Sequence, residues 1–189
     1  MSVSVITPPD ALVSLEEVKQ HLRIEENDTA EDLLLAVLIG AAQGTIDGPD
    51  GWVGRSFGVQ TLEWRGSGFD EARSSGIQLP CPPVIEVLSV SVRGLDGTAA
   101  ILLQEAYQLG SDGMLAAAVG QVWPRSDCRA DAVVVRYRAG YAEDDLPVRV
   151  KQAIMIMVAA MYENRLGAAD IQNSATIHGL LGGLRVWQV

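Results

Sequence analysis

The sequence predicts an α+β fold, a helical bundle body carrying a contiguous antiparallel β insert. Three observations predict it. Two segments, 33–42 and 153–162, are apolar on every helical face, and a helix of that kind is stable in water only when buried on several sides. Between them, from Val59 onward, apolar residues recur at every second position, the period of a half-buried strand. Short clusters of Gly, Asp, Ser and Pro break that stretch into hairpin-length pieces. The boundaries that follow are 1–58 and 142–189 for the helical body and 59–141 for the β-rich insert.

Each element has its own reason. Residues 1–13 read as an extended arm that ends around Pro8-Pro9. Ser14 and Glu17 form a capping box, and Leu15, Val18 and Leu22 form the stripe of a short amphipathic helix reaching Ile24. Glu25 to Asp28 is an acidic connector. A second helix starts near Thr29–Asp32 and ends near Asp47, because Gly48-Pro49-Asp50-Gly51 is strong turn chemistry.

The β region opens with a strand over 60–65, where Leu62 and Trp64 alternate with Thr61, Glu63 and Arg65. A Val-rich strand spans 84–93, and Gly94-Leu95-Asp96-Gly97 turns it back. Shorter strands are expected at 100–103, 107–109 and 114–116, with a confident run at 132–138. The second apolar helix spans 146–165, with Pro147 in its first turn and Asp144 and Asp145 placed to cap it. Its residues Ile154, Ile156, Met157, Val158 and Met161 are expected at the centre of the core.

Composition excludes several classes. The chain has 189 residues, of which 48 % are apolar, enough for a real core. Its 14 basic residues are scattered among 24 acidic ones, and the net charge of −10 argues against a surface that grips phosphate backbones. Ten apolar residues in a row fall short of the roughly twenty that a bilayer core requires, so no membrane span is expected. No secretion signal is visible, and two distant cysteines, Cys81 and Cys128, read as reduced thiols in a cytoplasmic product.

Chemistry-bearing strings are few. Gly54-Arg55-Ser56-Phe57-Gly58 matches a nucleophile elbow, which would make Ser56 the nucleophile of a serine hydrolase with His21 or His178 as its base. The elbow, however, needs a strand before the Ser and a helix after it, and the order here is reversed. A helix-to-strand connector is the better reading. The acidic clusters at 25–32 and 143–145 each precede a helix, where carboxylates complement the dipole, so no metal is assigned. No cofactor motif is present, and no catalytic residue is assigned.

The C-terminal stretch is the exception. Leu180, Leu181, Leu184, Arg185, Val186 and Trp187 form a very apolar segment with two glycines inside it. Such a segment, 179–189, either folds back on its own core or docks on another protein, and docking is the preferred reading.

Several strings, taken in order, carry a likeness: SLEEVKQHLRI, IDGPDGWVGRSFGVQTLEW, IQLPCPPVIEVLSV, VVVRYRAGY, LPVRVKQAIMIMVAAMYENR and LLGGLRVW. Together they resemble the phage head–tail connector or adaptor family, of the HK97 gp6-like and phiE125 gp8-like type, which includes adaptors of gene transfer agents. The resemblance implies a non-enzymatic virion protein at the head–tail junction, assembled in the bacterial host cytoplasm. It implies a homo-oligomer, a dodecameric ring, that binds the portal protein on one side and a stopper or tail-side neck protein on the other. DNA would pass through the channel without specific binding. The portal contact would fall on Leu180 to Trp187. Subunit contacts are expected to pair Arg149, Lys151 and Arg165 with Glu25, Glu26 or Glu31 of a neighbour. A stopper or tail-completion protein of the same neck is the alternative.

Overall fold

A computed structural model of the chain describes residues 1–69, 76–164 and 174–187. The fold is α+β, and the chain divides into two compact units. One contains Met1–Pro9 and Val59–Gly140, the other Asp10–Gly58 and Tyr141–Val189.

The first unit is built on a five-stranded antiparallel sheet. Its strands are β1 (Ser2–Thr7), β2 (Gln60–Gly66), β4 (Val84–Arg93), β5 (Ala99–Ile101) and β8 (Val133–Ala139), in the spatial order β1-β2-β8-β4-β5. A smaller sheet contains β3 (Ile77–Gln78), β6 (Tyr107–Leu109) and β7 (Met114–Ala117), in the order β3-β7-β6. Within the stretch expected as an extended arm, Ser2–Thr7 therefore form a strand of the sheet. Val3 sits opposite Trp64 and Val5 opposite Leu62, so the alternation of the arm matches that of β2.

Period-2 patterning holds through this unit. Val133, Val135, Tyr137 and Ala139 point into the core while Arg136 and Arg138 face out. The core joins Leu62, Trp64, Val90, Val92 and these β8 residues to Ile77, Leu79 and Leu115 from around the smaller sheet. The expected turn after β4 is present, with the Gly94 N–H donating to the Thr98 carbonyl at 2.9 Å. Trp123 stacks on Phe69 with ring centroids 3.9 Å apart.

One charged residue is buried in this sheet. Glu63 faces Arg136 directly across the β2–β8 ladder. Arg136 Nε lies 2.6 Å from one carboxylate oxygen, and Arg65 Nε and Nη2 lie 2.8 and 2.5 Å from the other. The side-chain hydrogen bond from Arg136, then those from Arg65, hold the Glu63 carboxyl below its ordinary range against the opposing effect of desolvation.

The second unit is helical: α1 (Leu15–Leu22), α2 (Asp32–Ile46), α3 (Val148–Glu163) and α4 (Ala175–Leu181). The capping box forms as the sequence predicts, with the Glu17 N–H donating to Ser14 Oγ at 3.1 Å and the Ser14 N–H donating to Glu17 Oε2 at 2.7 Å. α1 ends two residues early because Arg23 takes a left-handed conformation, φ 60°. The acidic connector that follows wraps a cation of its own chain. Lys19 Nζ is buried, 2.5 Å from Asp32 Oδ1 and within 3.2 and 2.9 Å of the Glu26 and Asp28 carbonyls.

α2 and α3 pack on each other, and Leu35, Ile39, Ala42 and Ile46 share a core with Val150, Ala153, Ile154, Met157 and Val158. Two details differ from the sequence reading. Ile156 and Met161 are only half-buried, because α3 meets its neighbours on one broad face and not all round. Asp144 and Asp145 lie in a separate 3₁₀ turn, Glu143–Asp145, and no side chain caps α3, which starts after Pro147.

Ile154→Asp should abolish cooperative thermal unfolding, since an unpaired buried carboxylate costs several kcal/mol; Ile156→Asp should leave a measurable, lower melting temperature. For Glu63 the lowered folded-state pKa means its contribution is complete above the unfolded value of about 4.3 and is lost as pH falls through the folded value. Denaturant titrations should therefore find Glu63→Gln about 1–2 kcal/mol less stable than wild type at pH 7, with the gap closing below about pH 4.

Candidate functional site: the C-terminal segment and its seat

The segment 174–187 is a single structural idea. Ile177, Leu181 and Leu184 recur at helical spacing and all three are buried in the α2–α3 core. The two glycines of the segment come just after α4, where Gly182–Leu184 forms a 3₁₀ turn. Beyond it the chain runs extended, and the Val186 N–H donates to the Val53 carbonyl at 2.9 Å.

What receives this segment is the Gly54–Gly58 string. Gly54 has φ +69°, and a Cβ there would stand 3.2 Å from the Val186 carbonyl oxygen. Arg55 Nε donates to the Leu184 carbonyl at 2.9 Å, and its Nη1 donates to Tyr141 Oη at 3.1 Å. Ser56 is fully buried, and among the described residues its hydroxyl has no hydrogen-bond partner and no base stands ready to activate it. The Phe57 and Gly58 N–H groups donate to the buried Asp47 carboxylate at 2.7 and 3.3 Å. Gln43 Nε2 donates to the same carboxylate at 3.2 Å, and the Leu12 N–H donates to Gln43 Oε1 at 2.9 Å. The string that imitates a nucleophile elbow is thus a fitted backbone seat.

The docking residues expected from sequence therefore separate. Leu181 and Leu184 are core residues of this chain, and Leu180 and Val186 are half-buried. They were legible as apolar, but only the fold shows that the seat at 53–55 is close enough to take them. Arg185 and Trp187 stay outside. Trp187 is 71 % exposed, and the Arg185 guanidinium sits 4.0 Å from its ring centroid and 5.7 Å from that of Trp52. His178, exposed on α4, lies against Trp52 with centroids 4.7 Å apart. Trp52 and His178 were not singled out for this role by the sequence, in which Trp52 and Trp187 stand far apart.

The expected intersubunit ion pairs also separate. Glu31 accepts a hydrogen bond from the Tyr162 hydroxyl, and Lys151 Nζ lies 3.2 Å from Glu17 Oε1, so both are satisfied within the chain. The Ser14 backbone hydrogen bond, followed by the Lys151 contact, lowers the Glu17 pKa. Glu25, Glu26 and Arg149 are exposed, and Arg165 lies outside the described residues. Among the described residues no group of three His, Cys, Asp or Glu is arranged to hold a metal, and no helix is long and apolar enough to cross a membrane.

A truncation and a substitution test the seat. Truncation after His178 should lower stability by about 4 kcal/mol or more, since it strips two buried leucines at about 2–5 kcal/mol each. Gly54→Ala should cost about 1–2 kcal/mol through left-handed strain alone, measured by the same denaturant titration.

No family model matches the sequence, and no curated protein matches it. Solved structures do. A chain of the neck of an empty gene transfer agent particle, determined with C6 symmetry, superposes with a TM-score of 0.75 at 22 % identity. A chain of the virion of a native gene transfer agent particle gives 0.71 at 20 %, and one of a native neck determined with C12 symmetry gives 0.70 at 20 %. Each match covers 100 % of this chain and 97 % of the other. At that identity the likeness establishes the fold: this chain is similar from end to end to chains found in the necks and virions of gene transfer agents.

Proposed function

We propose that this protein is a structural, non-enzymatic subunit of the neck of a tailed phage or gene transfer agent. Within the neck its role is that of the adaptor: a homo-oligomeric ring at the head–tail junction, between the portal and the stopper or tail-side protein. The observation that carries the reading is the whole-length fold likeness to neck chains, two of them in particles treated with cyclic symmetry. A closed ring of identical subunits is the natural product of such symmetry.

Charge and surface chemistry support it. A net charge of −10 per subunit makes a ring that repels phosphates, so a genome slides past without being held. The portal-facing contact is assigned to the aromatic–cation cluster of Trp52, His178, Arg185 and Trp187. Tryptophan and arginine are the side chains most enriched at interface hot spots, because each combines a large apolar surface with a directed polar group. The leucines behind them hold the cluster in place.

Negative-stain microscopy of the protein mixed with its cognate portal should show an added ring on one end of the portal. The double variant Arg185→Ala, Trp187→Ala should keep the wild-type melting temperature and lose portal affinity at least tenfold. Undiminished binding would remove the cluster from the contact. A ring that joins only a pre-formed portal–adaptor complex, and never the bare portal, would make the protein a stopper.

A further inference from the structure

We propose that neighbouring copies are joined by strand addition: β1 of one subunit pairs antiparallel with the uncovered first half of β4 in the next. The inference rests on the ring reading and names its interface.

Among the described residues the sheet is open at both ends. β1 has a partner on one side only, and the register along β2 accounts for all of its backbone pairing among the described residues. At the other end β5 covers only Ser91–Arg93 of β4, while the Leu102 N–H reaches the Val90 carbonyl at 2.8 Å. The preceding six residues, Val84–Ser89, pair with β8 but have no neighbour on their outer side among the described residues. Each edge is six residues long, about 20 Å of strand, with one bulge in β1 between Val5 and Thr7 and two in β4, between Val84 and Glu86 and between Val87 and Ser89.

Apart from these bulges, the edges carry few of the charges and prolines that normally keep edges apart. β1, SVSVIT, has no charged residue, no lysine and no proline. The open half of β4, VIEVLS, has one charge, Glu86, and Arg138 Nη1 binds it at 2.9 Å. Half-exposed apolar side chains sit on both: Val5 and Ile6 at 40 % and 47 %, Ile85 and Leu88 at 45 % and 48 %. In a chain of net charge −10, these are surfaces on which two copies meet without bringing acids together.

Direction and symmetry agree with the pairing. Every neighbour in the sheet is antiparallel, so β1 and β5 run the same way and β4 runs opposite. A cyclic operator preserves strand sense along the ring axis, so an incoming β1 arrives antiparallel to β4 and in line with β5. Because the two edges are different surfaces, the contact is head-to-tail, the kind that closes into a ring.

The test uses the full chain with Cys128→Ser and the pair Val5→Cys, Leu88→Cys, treated with a short bis-maleimide, alone at high concentration and in the portal mixture. Within one subunit β2 and β8 stand between these strands, about three strand spacings or 14 Å, beyond the reagent. A ladder of covalent multimers is expected in at least one condition, both from this pair and from a second pair, Ser4→Cys with Leu88→Cys; in the second pair, adding Val5→Lys should abolish the ladder without changing the melting temperature. Monomer alone in both conditions, while microscopy still shows a ring, overturns the strand junction and leaves the ring reading standing. Monomer with no ring overturns both. A ladder unaffected by the lysine overturns strand pairing as the mode of contact.

Discussion

Two helices with few polar residues must bury apolar surface, and this chain packs one broad face of each on the other, leaving Leu33 and Val37 of α2 exposed at 82 % and 61 %. α2 has no charged residue after Asp32, and α3 has none between Lys151 and Glu163. Each buried Leu, Ile or Met contributes on the order of 1.5–3 kcal/mol before chain entropy is subtracted. The pairing brings together segments that the whole β region separates in sequence. Everything else in the helical unit is arranged around that contact, including the turn after α2, the connector at 53–58 and the C-terminal segment that closes over the core.

The polar node at the end of α2 shows how the closure is made specific. Hydrophobic burial alone does not fix where a loop lies, whereas a buried carboxylate demands donors. Asp47 obtains them from Gln43 and from the Phe57 and Gly58 amides, and Gln43 in turn holds the backbone at Asp10 and Leu12. With the connector held there, the Val53 carbonyl and the Arg55 guanidinium are presented to the last residues of the chain. The aromatic–cation cluster then stands outside a core that its own neighbours have sealed.

Charge is distributed by the same logic. Of the acids expected to meet a neighbour, Glu31 is engaged within the chain by Tyr162, and other acids pair locally too: Glu17 with Lys151 and the Ser14 amide, Asp32 with Lys19, Glu63 with two arginines. Local pairing is cheap because the partners are already held by helix or sheet geometry and lose little further freedom. Glu25, Glu26 and Arg149, by contrast, stay exposed.

The sequence by itself determined the fold class, the capping box of α1, the extents of α2 and β4 to within a residue or two, the hairpin turn at 94–97 and the Gly48–Gly51 turn. These depend on local periodicity, caps and turn chemistry, which act over a few residues and are written in the order of the chain. It did not reveal that the arm at 2–7 is a sheet strand, because an isolated edge strand carries no signal until its partner is present. Nor could it separate Leu181 and Leu184 from Trp187, all equally apolar on the page. Only the tertiary structure decided which of them found a cavity: the seat is built from residues more than a hundred positions away, and burial is a property of the place where a side chain arrives.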